Sequence, residues 1–403
     1  MTSEVVIANA SAMVFGADTM VTVTSADRLR RETEAIKIHV LQEDPPCALM
    51  IHGRTRFCGW PWSSIVSAYR KNHPEPKPSV KDTAESFFEW LDYTPLISPE
   101  ARVREATLNV QKVAGEAVSE ARMLVEEGEA SDLQEALERI VPIFQGQIAA
   151  ATGAQSHRGR VVPLNIDEVL EPYRAAPRRV QRQLRELTAY AYASGLSSDG
   201  TGLVFGGYGE NEYLPSLVHL PGLQRVEDGI EIGDPRMDSV TLTNSSILET
   251  YAHDHDIQAL TTGAHASVTR SLAELCRAVA GELTPSTGPD RNDGALEQVG
   301  PEQASLHVSR KLFEQLRGAW TSMENTRRAE FRAASAHMAP HELVELVTLL
   351  VTSASVGQRM SAGVESEVGG SVDILVMSRE PTSIRRTISR GYQLESLAEQ
   401  VIR

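Results

Sequence analysis

Strand character in this chain is confined to separated stretches with long helical blocks between them, and that order limits the folds open to it. Residues 4 to 51 hold short apolar runs such as Val5-Val6-Ile7 and Met13-Val14-Phe15, divided by polar turns, which predicts strands. Strand character returns at Gly202-Leu203-Val204-Phe205-Gly206, near Val240-Thr241-Leu242, and at Val372 to Met377. Phe57 to Tyr69 reads as a helix, and Ser79, after the loop punctuated by Pro74, Pro76 and Pro78, is placed to cap another through Phe87, Phe88 and Leu91. From Ser98 to about Gly195 apolar residues recur at three- and four-residue steps (Val103, Ala106, Val110, Val113, Ala117), the period of a helix. A second helical region follows Ile247 and continues through Ala304 to Ala336. It is broken at Pro285 to Gly294, where the Gly-, Pro- and Asp-rich composition predicts an exposed mobile loop. The helix from Pro340 to about Arg359 gathers Leu343, Leu346, Val347, Leu350 and Val351 on one face, suited to packing on the sheet that receives Val372 to Met377. The order fits an α+β fold, an αββα sandwich carrying extra helices.

Composition narrows the function classes. A hydrophobic content of 41% is enough to build a core, and 403 residues suit either several domains or one interrupted core. The net charge of −15 disfavours general binding to nucleic acid or to an anionic membrane. No stretch approaches the roughly 18 apolar residues that span a bilayer, and no secretory leader is evident, so a cytoplasmic protein is expected. Cys47, Cys58 and Cys276 have no metal-like spacing and are expected as buried thiols.

Thr2, Asp18 in Met13-Val14-Phe15-Gly16-Ala17-Asp18, and Lys37 in Ala35-Ile36-Lys37-Ile38 carry the chemistry. Removal of Met1, which a small second residue permits, leaves the Thr2 hydroxyl beside its own free amine. A threonine hydroxyl is a poor nucleophile at neutral pH, and an α-amine with a pKa of roughly 8 is a serviceable base for it. A lysine ammonium near the hydroxyl stabilises developing alkoxide, and a carboxylate against the lysine fixes its position and charge. Lys37 and Asp18 suit those roles, because two short strands joined by a turn return Asp18 towards Thr2. The plainer reading makes Thr2 a terminal residue, Asp18 a strand end and Lys37 a solvated strand lysine.

The Thr2, Asp18 and Lys37 trio resembles the catalytic opening of the proteasome-type N-terminal nucleophile (Ntn) hydrolases. That resemblance implies a four-layer αββα Ntn sandwich with helical insertions. After Lys37, the run from Cys47 to Thr55 reads as a buried strand ending in a glycine turn; family members place an oxyanion-binding backbone NH there, at Gly53 or its neighbour His52. The segment Gly363 to Met377 resembles the family's acidic residue before a Gly-Gly and a late core strand. Glu365 stands where the family usually has an aspartate, and Val368 replaces a serine that normally holds the terminal amine. Closer still is a resemblance to a sparsely characterised group of long bacterial proteins related to proteasome subunits, carried by Gly53 to Trp62, Phe205 to Ser216 and the Gly369-Gly370 strand, in the same order.

The resemblance implies a discontinuous core of residues 1–97, 200–263 and 337–395, with a helical insertion at 98–199 and a second helical region at 264–336 holding a mobile loop near 285–300. The long insertion would widen the subunit or cover its substrate entrance. The resemblance further implies a peptide or other amide substrate, an acyl-enzyme on Thr2, no cofactor and no metal. It also implies a homo-oligomer, since family members form rings that hide the site; whether an ATPase feeds it the sequence does not say. The opposing expectation is a catalytically silent scaffold that keeps the fold, favoured by Val368, Glu365 and the long insertions.

Other signals carry less. His253-Asp254-His255-Asp256, with His265, superficially resembles metal ligands, but residues two apart on a helix face different ways. Gly206-Gly207-Tyr208-Gly209 lacks the order of a dinucleotide-binding turn. Arg174, Arg178, Arg179, Arg182 and Arg185 read as a solvated helix face with compensating carboxylates.

Overall fold

The computed structural model describes residues 3–25, 28–32, 35–152, 169–193, 201–226, 229–231, 234–252, 255–262, 318–319, 321–360, 370–379 and 382–389. The chain opens with strands β1 (Ser3–Asn9), β2 (Met13–Asp18), β3 (Val21–Ser25), β4 (Arg28–Glu32), β5 (Ile38–Glu43) and β6 (Pro46–His52), then the two-residue strands β7 (Arg56–Phe57) and β8 (Trp60–Pro61). Helices α1 (Trp62–Asn72), α2 (Val80–Tyr93), α3 (Pro99–Glu126), α4 (Leu133–Thr152) and α5 (Arg178–Ala193) follow. Strands β9 (Thr201–Gly207), β10 (Ser216–Val226), β11 (Gly229–Glu231), β12 (Arg236–Ser239) and β13 (Ser246–Ala252) lead to α6 (His255–Thr262), and α7 (Pro340–Met360), β14 (Val372–Arg379) and β15 (Thr382–Ser389) complete the labelled elements. Residues 321–335 are also helical.

Two antiparallel sheets dominate. One has the order β13-β1-β2-β14-β15 and the other β11-β10-β9-β6-β5, with β12 pairing β10. Alternation along each strand sorts its side chains between two faces. Val6, Ala8, Phe15 and Leu375 of the first sheet share one apolar cluster with Ala48, Met50, Val204 and Leu217 of the second. The opposite faces meet helices: Val5, Ile7, Val14 and Ile374 pack with Leu343, Val347, Leu350 and Val351 of α7, while Leu49, Ile51, Leu203 and Phe205 pack with Ile65 and Tyr69 of α1 and Phe87 and Leu91 of α2. Gly16 sits directly beneath α7, where a Cβ would lie 2.2 Å from Val347 Cγ1, so glycine sets how closely that helix approaches the sheet.

Helices α3, α4 and α5 bury their stripes mostly against one another, in an alanine-rich cluster that includes Ala114, Ala117, Leu137 and Leu184. The predicted helical block at 98–195 therefore stands as three helices with their own core over its described residues. On α5, Arg182 lies 3.9 Å from Glu186, and just before it Arg174 lies 3.3 Å from Glu171; all four are exposed, as expected of a solvated face. Among the described residues no helix is long and apolar enough to cross a membrane. Cys47 and Cys58 are the expected buried thiols; Cys276 lies outside the described residues.

The capped helix is found as expected, with the Ser79 hydroxyl accepting from the Asp82 amide at 3.1 Å. Three boundaries differ from expectation. The helix predicted from Phe57 begins at Trp62, because Cys58 and Gly59 take positive φ (49° and 81°) in a small β7–β8 turn. The strand expected near Val240 to Leu242 lies earlier, at β12, and the stretch from Val240 is a turn in which the Asn244 amide donates to the Thr241 hydroxyl at 2.9 Å. The residues after Ile247, expected as helix, form β13, which pairs with β1 in a register from Ser3↔Ala252 to Asn9↔Ser246. The predicted loop at 285–300 lies outside the described residues.

Candidate active site

Strands β1 and β2 are antiparallel neighbours with Glu4 opposite Ala17, so the end of β2 returns to the start of β1. At that end Asp18 is 1% exposed. Its Oδ1 accepts the Ser3 amide N–H at 2.9 Å and the Lys37 ammonium at 2.7 Å. Lys37 is 5% exposed and also donates to the Met20 carbonyl at 2.9 Å. A solvated strand lysine is thus ruled out.

The 19-residue separation of Asp18 and Lys37 is closed by a detour. Strands β3 and β4 pair only with each other among the described residues, in register from Val21↔Glu32 to Ser25↔Arg28. At the base of this hairpin the Ala35 amide donates to the Thr19 carbonyl at 3.0 Å, delivering Lys37 beside Asp18.

Two further segments reach the same end. The Thr19 amide donates to the Ser371 carbonyl and the Ser371 amide to the Thr19 hydroxyl, both at 2.9 Å, tying the chain after Gly370 to the residue following Asp18. On the other sheet the Ile51 amide donates to the Lys37 carbonyl at 3.0 Å. Gly53, two residues beyond Ile51, is exposed and turns out of β6 with φ at 90°, a conformation that favours glycine. Strand spacing and rise put its backbone roughly 8 Å from that of Lys37. The chain after it is pinned: Trp62 Nε1 donates to the Arg54 carbonyl at 2.9 Å, and Arg54 Nη1 reaches Glu105 on α3 at 2.6 Å.

Beside Gly53, the imidazoles of His52 and His219 meet with Nε2 atoms 3.2 Å apart, and the His52 ring stacks on Tyr251 at 5.6 Å. Burial pushes His52 down to about 4; burial, then His52 and Arg236, take His219 down to about 3. Both rings are neutral at pH 7, so one nitrogen donates and the other accepts. Burial foremost, then the Glu249 and Glu4 carboxylates, raises Tyr251 well above its ordinary value. His219 and Tyr251 escape sequence reasoning, since their partner His52 is distant along the chain.

Of the predicted site residues, Asp18 and Lys37 are in direct contact, and Gly53 directly follows β6, the strand whose Ile51 amide is bonded to Lys37. Thr2 and Glu365 lie outside the described residues, as do His253, Asp254 and His265 of the metal-like run.

No family model matches the chain, and no curated protein matches it. Solved structures resemble it over nearly its whole length, among them two of one protein. One is the Anbu (Gly-1) mutant from Hyphomicrobium sp. strain MC1, 13% identical, covering 100% of this chain and 94% of that one at a TM-score of 0.33. The other is Anbu from the same strain, 10% identical, covering 99% and 93% at a TM-score of 0.34. Likeness at that level carries no assignment, and the chemistry rests on the geometry of the site.

Proposed function

We propose that this chain is a proteasome-like threonine hydrolase that cleaves amide bonds, above all peptide bonds, through an acyl-enzyme on Thr2 after loss of Met1. The observation that carries the reading is the shared Asp18 oxygen: one carboxylate holds the amide directly following Thr2 and a buried lysine ammonium together. An ammonium has three N–H donors, and two of those on Lys37 go to Asp18 and Met20, leaving one for the hydroxyl of a neighbouring residue.

The Thr2 Oγ1 attacks the substrate carbonyl carbon, and its proton passes to the Thr2 α-amine. The Gly53 N–H, at a corner held open by its positive φ, donates to the resulting oxyanion. Collapse breaks the C–N bond and the ammonium returns its proton to the leaving amine. Water, deprotonated by the same amine, then hydrolyses the ester and restores Thr2. Glu365 supports the terminal residue; its segment leads into Ser371, which is bonded to Thr19.

In this reading the fold is a four-layer αββα Ntn sandwich. Residues 1–97, 200–263 and 337–395 form its core and 98–199 and 264–336 are insertions. The sheets' shared apolar cluster and their helix-covered outer faces support that description. The Arg54–Glu105 pair ties the first insertion to the corner at Gly53, as suits a cover over the substrate entrance. A cytoplasmic homo-oligomer completes the proposal.

One observation favours the silent-scaffold alternative: an ion pair only 1% and 5% exposed also suits a purely structural clip. Intact-mass spectrometry after treatment with a peptide β-lactone separates the two. The hydrolase loses Met1 and gains one adduct on Thr2, abolished in Thr2→Ala; a retained Met1 or an unlabelled Thr2 sinks the enzyme reading.

A further inference from the structure

Behind β5, the strand that follows Lys37, lies a cleft of about 970 Å³ unrelated to the chemistry above. It opens where the two sheets present their β5 and β15 edges and is walled by α1. Ser63, Ser67 and Lys71 stand four residues apart on α1, in one row along the cleft, and all are exposed. Neither hydroxyl, nor the Lys71 ammonium, has a hydrogen-bond partner among the described residues.

The other polar groups are also mostly donors. Arg70 holds Glu43 at 3.2 Å, with the side chains 44% and 78% exposed, a weak pair in water that yields readily to a more highly charged anion. Arg386 grips the buried Asp373 with Nε, at 2.8 Å, and with one Nη, which leaves its other Nη with two N–H donors. His39 lines the cleft at 8% exposure, and its Nε2 has no partner among the described residues. Among the described residues of the lining, Glu43 is the only carboxylate. A donor-rich surface of this kind stands out on a chain with a net charge of −15.

We propose that this cleft is a binding site for a small multivalent anion, phosphate- or polycarboxylate-bearing, held by Lys71, Arg70 and Arg386 with the Ser63 and Ser67 hydroxyls. The volume suits an organic molecule larger than a lone phosphate ion, and guanidinium groups match phosphate and carboxylate geometry. Ile36 and Ile38 form part of the lining, so an occupant touches both neighbours of Lys37. The assignment stands independently of Thr2 chemistry.

Titration calorimetry of the full chain with pyrophosphate and with citrate tests it. Saturable binding of at least one is expected, weakened about tenfold or more in Arg70→Ala/Lys71→Ala, and unchanged in Arg178→Ala/Arg179→Ala, which removes the same charge on α5. Tighter binding of pyrophosphate identifies a phosphate-bearing ligand, and tighter binding of citrate a polycarboxylate. Absence of saturable binding by both probes, or equal weakening in the two double variants, overturns the proposal.

Discussion

Substituting Lys37 by methionine isolates the worth of the central ion pair. The side chain keeps a four-atom apolar stem and loses its ammonium, and it leaves behind Asp18, which in the parent is 1% exposed with its Oδ1 2.9 Å from the Ser3 amide. Breaking one side of a buried pair leaves an uncompensated charge and costs about 3–5 kcal/mol, whereas replacing both sides by uncharged groups is often close to neutral. Lys37→Met is therefore expected to destabilise by about 3–5 kcal/mol, and Lys37→Met/Asp18→Asn by clearly less, a coupling of several kcal/mol between adjacent sites. Urea unfolding followed by tryptophan fluorescence measures the stabilities, Trp62 being buried in the core. Exchange of the Ser3 amide reports the local effect, because its acceptor is the orphaned carboxylate. If Lys37→Met unfolds within about 1 kcal/mol of the parent, the pair behaves as a surface contact, and the argument that Lys37 is a desolvated, positioned ammonium fails. A double variant no more stable than the single one refutes the coupling.

A methyl group at Gly202 would lie 1.8 Å from His52 Nε2, so Gly202→Ala is expected to cost about 1–3 kcal/mol by overpacking, and His52→Ala should restore most of the loss on thermal melting. His39 and His52 are held down to about 4 and His219 to about 3, against 6.5 when unfolded. The unfolded chain takes up protons first, so their contribution to stability is complete above about 6.5 and is lost as pH falls towards 4 and 3. Imidazole NMR shifts that move between pH 7 and pH 6 would contradict this.

Asp18 and Lys37 were legible in the sequence because their encounter is built from neighbouring strands: a hairpin returns Asp18 to the chain start, and a second hairpin delivers Lys37. The amphipathic face of α7 and the cap at Ser79 were equally local. Ile247, Leu248 and Tyr251 misled, since apolar residues at those intervals satisfy a helical period as well as a strand's. Pairing with the distant β1, in register from Ser3↔Ala252 to Asn9↔Ser246, decides for the strand. His219 is 167 residues from His52, and no local pattern announces such a partner. The Ser3 amide and the Met20 carbonyl were invisible for another reason: backbone groups carry no residue signature.

The hairpin of β3 and β4 has a practical side. Its two strands pair only with each other among the described residues, and its stem is fastened by Thr19 and Ala35. A change carried on this hairpin is expected to leave the Asp18–Lys37 contact intact, because the Ala35-to-Thr19 bond closes the stem below it. A short peptide tag or a small fluorophore carried there gives a handle on the working protein, close to its chemistry yet outside it.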